Sequence, residues 1–216
     1  MKLLPFKKGE LKKRLERYAK NDVRLAKVLL RTKREFDRSK LPAHNWEHAY
    51  RDVLNAIVIG EAEGADMSIV LPAIAMHDIG FLYGATGKTH GAVGAKKLPT
   101  FLKKIGASYP PAMVRAMAEC IHTHKGSMHG EKPATLEAKV VCDADLLEKF
   151  GSFGVYQYIR TYTEFDWDLE TVIRRGNGIL QLRLETKTGK KLVGKGRRYV
   201  AKFFGELDKA NDPYRA

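Results

Sequence analysis

Three stretches of this 216-residue chain set imidazole or carboxylate groups among apolar neighbours. The run Ile69-Val70-Leu71-Pro72-Ala73-Ile74-Ala75-Met76 ends abruptly in His77-Asp78-Ile79-Gly80, so a buried helix delivers an imidazole and an acid at its inner end. Burying such a charge is costly unless a metal or counter-ion compensates it. The segment Ala138 to Leu147 is again apolar but is interrupted by Asp143 and Asp145. On a helix these two point about 200° apart, so a single metal would recruit only one of them, the other being a supporting or a surface group. In the third stretch, from Asn45, Trp46, Ala49, Tyr50, Val53 and Ile57 make an apolar stripe, while His48, Arg51, Asp52 and Asn55 share another side. Neutral imidazole nitrogens and carboxylate oxygens together suit a first-row divalent metal.

Helices must carry these groups, since no stretch reads as a well-alternated strand. Within residues 1–40, Leu11, Leu15, Tyr18, Ala19, Leu25, Leu29 and Leu30 recur near helical spacing, with Lys and Arg outward. Asn45 can cap a helix running to about Ala62, which Gly64 ends. A helix over about 68–78 follows, and Gly80, Gly84 and Gly87 predict a loop. Further helices are expected at about 90–104, 110–123, 134–148 and 152–162. From Asp168 the pattern stays helical to Arg183, breaks near Thr188-Gly189 and resumes from Leu192 to Lys209. With no repeat or low-complexity tract, the chain reads as one all-α domain.

Hydrophobic residues make up 44% and charged residues 30%, a globular balance that excludes intrinsic disorder. The opening Met1 to Phe6 is too short an apolar patch for a signal peptide, and the longest later apolar run falls well short of a membrane span. Cys120 and Cys142 lie in apolar segments and form no disulfide framework, so a cytoplasmic location and no membrane association are expected. The net charge is +14, and residues 1–40 hold fifteen Lys or Arg against five acids. Such a segment is either a solvated helix face or the footprint of a polyanion, nucleic acid included.

Taken in order, His48, His77-Asp78 and Asp145 resemble the H…HD…D signature of the HD superfamily of metal-dependent phosphohydrolases. His44-Asn45-Trp46-Glu47-His48 is similar to its first-helix motif, Leu71 to Gly80 to its apolar helix ending in HDIG, and Asp143-Ala144-Asp145 to its last motif. The similarity spans about residues 40–160, with helical extensions on both sides, and Thr186 to Phe204 also resembles the C-terminal segment of some members. The resemblance implies an all-α HD bundle in which Asp145, not Asp143, is the ligand. Two further segments resemble the subset that binds two metals: His90 in Thr89-His90-Gly91-Ala92-Val93-Gly94-Ala95, and His122-Thr123-His124. On that likeness Asp78 bridges two divalent ions (Mn, Fe, Mg, Co or Zn), with His48, His77 and Asp145 on one. His90 and His122 then hold the second, and His124 lies near the substrate. His129, in a polar Gly-rich loop, reads as surface. The substrate class implied is a small phosphate ester, a nucleotide foremost, with Arg51, Lys88 and Lys125 as candidates to neutralise its phosphate because each lies close to a proposed ligand. The sequence departs from the family in two places. No Gly-Tyr-Pro motif follows His124, against the cyclic dinucleotide phosphodiesterase branch, and Phe81-Leu82 stand where some nucleotidases carry an acid. Two rival readings share these residues: an HD-fold di-iron oxygenase, which uses a similar ligand set, and a non-enzymatic basic nucleic-acid-binding protein.

Overall fold

The computed structural model describes Lys7 and residues 9–212; the opening Met1–Phe6 patch and Lys8 of the basic segment lie outside them. Among the described residues the fold is all-α, with no strand. The basic segment forms two helices, α1 (Glu10–Asn21) and α2 (Val23–Ser39). They part at Asp22, whose extended backbone breaks the helix while its carboxylate accepts from the Arg24 and Leu25 amides to cap α2. In α3 (Trp46–Glu63) the Asn45 side chain accepts from the His48 amide, and Gly64 closes the other end at φ +76°.

α4 (Met67–Ala75) is buried from Val70 to Ala75. It stops sooner than the apolar run suggests, because Met76 leaves helical geometry at φ −114°, ψ 8°. His77 and Asp78 therefore sit in a turn, where adjacent side chains need not diverge by a helical 100°. A short 3-10 helix, Ile79–Tyr83, occupies part of the expected loop. There Gly80 packs against the start of α5 (His90–Lys104), and a Cβ would lie 2.1 Å from the His90 carbonyl oxygen, a contact only glycine permits.

α6 (Pro111–Thr123), α7 (Leu136–Glu148) and α8 (Gly151–Phe165) follow, then α9 (Leu169–Ile179) and α10 (Lys187–Asn211). The expected break at Thr188-Gly189 falls elsewhere: the irregular stretch is 180–186, and Thr188-Gly189 lie in the first turn of α10. The reason is local, for the Thr186 hydroxyl accepts from the Gly189 amide at 2.9 Å and caps the helix there.

Two hydrophobic clusters fill the interior. One joins α1 to α7, centred on Ile57, Leu71, Ile74, Leu98, Met117 and Ile121. The other, with Leu146, Val172, Leu184, Val200 and Phe204, packs α8, α9 and α10 against the end of α7. Each fully buried Leu or Ile contributes about 1.5–3 kcal/mol, which offsets the cost of carrying acids on the same helices. No helix among the described residues is long and apolar enough to cross a membrane.

Candidate metal centre

Helices α3, α4, α5, α6 and α7 meet around Asp78, which is 1% exposed. His48 enters from α3, His77 and Asp78 from the turn after α4, His90 from the first residue of α5, His124 from the end of α6 and Asp145 from α7. None is more than 3% exposed. The two Asp78 oxygens face different histidine pairs. Oδ2 lies 3.2 Å from His48 Nε2 and 3.3 Å from His77 Nε2, and Oδ1 lies 3.3 Å from His90 Nε2 and 3.6 Å from His124 Nε2. These approaches are close enough for ion pairs but are not aligned as hydrogen bonds, so both oxygens lack a hydrogen-bond partner.

Proton positions follow from the surrounding acceptors. His77 Nδ1 donates to the Ile74 carbonyl at 2.7 Å and His124 Nδ1 to the Ile121 carbonyl at 2.6 Å, so each turns the lone pair of Nε2 inward. His48 Nδ1 faces the Glu148 carboxylate and lies 3.2 Å from Asp52 Oδ2, which turns its Nε2 inward as well. Nitrogen then meets nitrogen, at 3.2 Å between His48 and His77 and at 3.0 Å between His90 and His124. Converging lone pairs beside carboxylates require positive charge in their midst. The ligand atoms of His48, Asp52, His77 and Asp145 lie within 4.8 Å of one another, as do those of His77, Asp78 and His124, spacings that let a metal ion supply that charge.

Electrostatics in the metal-free chain agree. Burial works to lower the His48 imidazole, but Asp52 and Glu148 outweigh it and hold it well above its ordinary range, so the pocket captures a proton where a cation belongs. Burial would raise Asp78 and Asp145. The imidazoles of His77 and His44 hold Asp78 well below the usual carboxylate range, and Lys125 and Lys149 do the same for Asp145. Lys125 Nζ is 3.3 Å from Asp145 Oδ2 and Lys149 Nζ 2.8 Å from Oδ1. Burial pushes His124 down to about 4 and lowers His90 further, leaving both neutral as ligation demands.

The structure thus brings together His48, His77, Asp78, His90, His124 and Asp145. It does not bring in His122, and here the expectation is corrected. Arg115, Glu119 and His122 form the exposed stripe of α6, whereas Met117, Cys120, Ile121 and His124 are buried. His124 takes the inward place because 117, 121 and 124 follow the helical repeat. Arg51 stands at the edge, with Nε 3.3 Å from Glu148 Oε1 and its guanidinium over the Phe153 ring. Lys88 is exposed in the loop before α5, and Lys125 is buried against Asp145. His129 is exposed, as its loop suggested.

Two acids escaped sequence reasoning as site residues. Asp52 is fully buried, has neither oxygen hydrogen-bonded and lies 3.6 Å from His77 Nε2; burial, then Glu148, holds its carboxyl well above the usual range. Glu148 grips His48 from behind. Their signal was spacing: Asp52 follows His48 by four residues on α3, and Glu148 follows Asp145 by three on α7. Asp143 is neither a ligand nor a surface group. It points away from the centre and accepts from the Glu185 amide, the Thr186 amide and the Thr186 hydroxyl at 2.7, 2.8 and 2.6 Å.

Comparison with known proteins finds a likeness for this arrangement. Residues 45–149, from the cap of α3 to the end of α7, match the HD domain model. Solved structures share the fold over nearly the whole chain. A Lactobacillus plantarum protein superposes with a TM-score of 0.72 at 18% identity, over 89% of this chain and 98% of that one. Bacillus subtilis YpgQ in complex with ADP gives 0.65 at 18%, over 88% and 98%. A predicted HD superfamily hydrolase from an uncultured Thermotogales bacterium gives 0.59 at 23%, over 85% and 90%. A search of curated proteins finds no match.

Proposed function

We propose that the chain is a metal-dependent phosphohydrolase that cleaves a phosphomonoester or phosphodiester of a nucleotide or a related small phosphate. The observation that carries this reading is the placement of Asp78, with one oxygen toward His48 and His77 and the other toward His90 and His124. Divalent ions would be held there by Asp78 with His48, His77 and Asp145 toward one of its oxygens and His90 and His124 toward the other. Bound there, divalent ions supply Lewis acidity toward a phosphoryl oxygen and lower the pKa of a bound water.

The chain's own groups hold and orient. Glu148 and Asp52 fix the His48 ring, and the Ile74 and Ile121 carbonyls fix those of His77 and His124. Lys125 and Lys149 keep Asp145 ionised. Arg51, which pairs with Glu148 behind His48, and Lys88, two residues before His90, are our candidates to meet substrate phosphate charge. The ADP held by YpgQ favours a nucleotide over other phosphates. Both cysteines are buried free thiols, which fits a reducing cytoplasm.

Metal analysis of the purified protein, followed by a panel of phosphatase and phosphodiesterase substrates, tests the reading. Bound divalent metal with phosphate release from nucleotides supports it. Iron-dependent oxygen consumption without phosphate release would replace it with the oxygenase reading.

A further inference from the structure

We infer that the chain binds the phosphate backbone of a nucleic-acid duplex on a cationic face built jointly by α1 and the first half of α10. Residues 187–205 contain seven Lys or Arg and no acid. Lys187, Lys191, Lys195, Arg198 and Lys202 recur every three or four residues and are exposed, opposite the buried Val193, Val200 and Phe204. They form one ridge, and at 1.5 Å per residue it runs about 22 Å, enough to follow about six base pairs. On α1, Lys13, Arg17 and Lys20 make a second exposed ridge at the same spacing.

The end of α3 ties these ridges to one part of the molecule. Glu61 accepts from the Tyr18 hydroxyl at 3.1 Å and pairs with Arg14, both on α1. Two residues on, Glu63 accepts from the Thr188 amide of α10 at 2.6 Å. Its carboxyl is lowered first by the Thr188 side chain, then by that amide bond and by Lys187 and Lys191 close by. α1 and α10 therefore both meet the end of α3, and a cleft of about 470 Å³ opens along α1 between Lys13, Arg17, Tyr18 and Glu61.

The nearby acids are already engaged: Glu10 and Glu61 by Arg14, Glu16 by Lys12 and Glu206 by Lys202. Among the described residues, Lys13, Arg17, Lys20, Lys187, Lys191, Lys195 and Arg198 have no carboxylate at ion-pair distance. Their mutual repulsion is relieved by an extended polyanion, whose condensed counter-ions are released on binding. A small phosphate seated in that cleft would meet Lys13 and Arg17 but would leave the α10 ridge uncovered. A lipid surface would need large apolar groups beside the cations, and among the described residues of this face Tyr199 alone is both large and exposed. The inference stands apart from the hydrolase reading, since none of these residues touches the metal centre.

Fluorescence anisotropy with a labelled 20-base-pair duplex, as DNA and as RNA, tests it on the full-length chain. Six contacts from Lys13, Arg17, Lys187, Lys191, Lys195 and Arg198 give an affinity loss of about 2,000-fold between 50 and 200 mM salt. The triple variant Lys187→Gln/Lys191→Gln/Lys195→Gln, confirmed folded by circular dichroism, should lose only about 40-fold over the same range. A control that removes the same charge elsewhere, Lys96→Gln/Lys103→Gln/Lys132→Gln, should keep the wild-type slope. A preference for DNA or RNA identifies the natural duplex, and equal binding identifies a backbone reader. An unchanged slope in the α10 variant, or an equal drop in the control, overturns the inference. So does binding to phosphatidylserine vesicles with no binding to either duplex.

Discussion

Asp143 is expected to act as a latch between the HD core and α10, and breaking it should cost stability without emptying the metal centre. Its carboxylate is fully buried and accepts three hydrogen bonds of 2.6–2.8 Å from Glu185 and Thr186, just before α10 begins. A bond to a charged acceptor is worth about 1.5–3 kcal/mol, and a stranded buried donor costs about 1–3. Since such terms overlap, Asp143→Ala should destabilise by about 3–5 kcal/mol, or about 6–20 °C in Tm for a chain of this length. Gly189 supplies an internal check, because a Cβ there would lie 2.3 Å from Asp143 Oδ2. Gly189→Ala should therefore destabilise by overpacking, by about 1–3 kcal/mol. In the Asp143→Ala background the new methyl no longer meets the carboxylate, so the double variant should be at least about 1 kcal/mol more stable than the sum predicts. Urea unfolding of the four proteins gives the cycle, and metal content should stay at the wild-type level because Asp143 faces away from Asp78. Additive effects within about 0.5 kcal/mol, or an Asp143→Ala cost below about 1 kcal/mol, would refute the latch.

The α6 histidines should separate cleanly: His124→Ala lowers metal stoichiometry, whereas exposed His122→Ala leaves it unchanged and shifts stability by no more than about 0.5 kcal/mol. Mass spectrometry of bound metal decides between them, and the reverse pattern would return His122 to the site. Asp52→Asn should weaken divalent-ion affinity about 10–100-fold by titration calorimetry, as loss of a supporting carboxylate does; unchanged affinity rejects any role at the centre. In metal-free protein, His124 falls from about 6.5 unfolded to about 4 folded. A depressed folded pKa gives stability that is complete above pH 6.5 and lost as pH falls toward 4, about 3 kcal/mol in all, so Tm should drop across that window and His124→Gln should flatten the drop.

Much of the site was legible because helix boundaries rest on local chemistry. Asn45 and Gly64 bracket α3 as capping residues must, and α5 runs from His90 to Lys104 as its periodicity indicates. His77, Asp78 and the Asp143/Asp145 pair could be singled out because apolar neighbours made their burial costly, and the family resemblance then chose Asp145. Other features depend on contacts distant in sequence. Asp22 looks like one polar residue of a continuous basic helix until its side chain turns back as a cap. Asp143 looks like a spare acid until residues 185–186 arrive from forty positions away. The choice between His122 and His124 was available, since Met117 and Ile121 set a phase that His124 continues, but the resemblance placed both histidines in one step and masked the phase. Asp52 was counted on the polar side of α3, and only the packing of α4 and α7 against that side shows that it is interior.

The most direct test of the central claim compares wild type with Asp78→Asn, measuring bound metal and anaerobic phosphate release from a nucleotide panel on the same preparations. The wild type should hold divalent metal and release phosphate without oxygen. The variant, which keeps the side chain's size but loses its charge, should remain helical while losing metal and activity together. A folded Asp78→Asn protein with wild-type metal content, or a metal-loaded wild type that releases no phosphate from any substrate, would contradict the account.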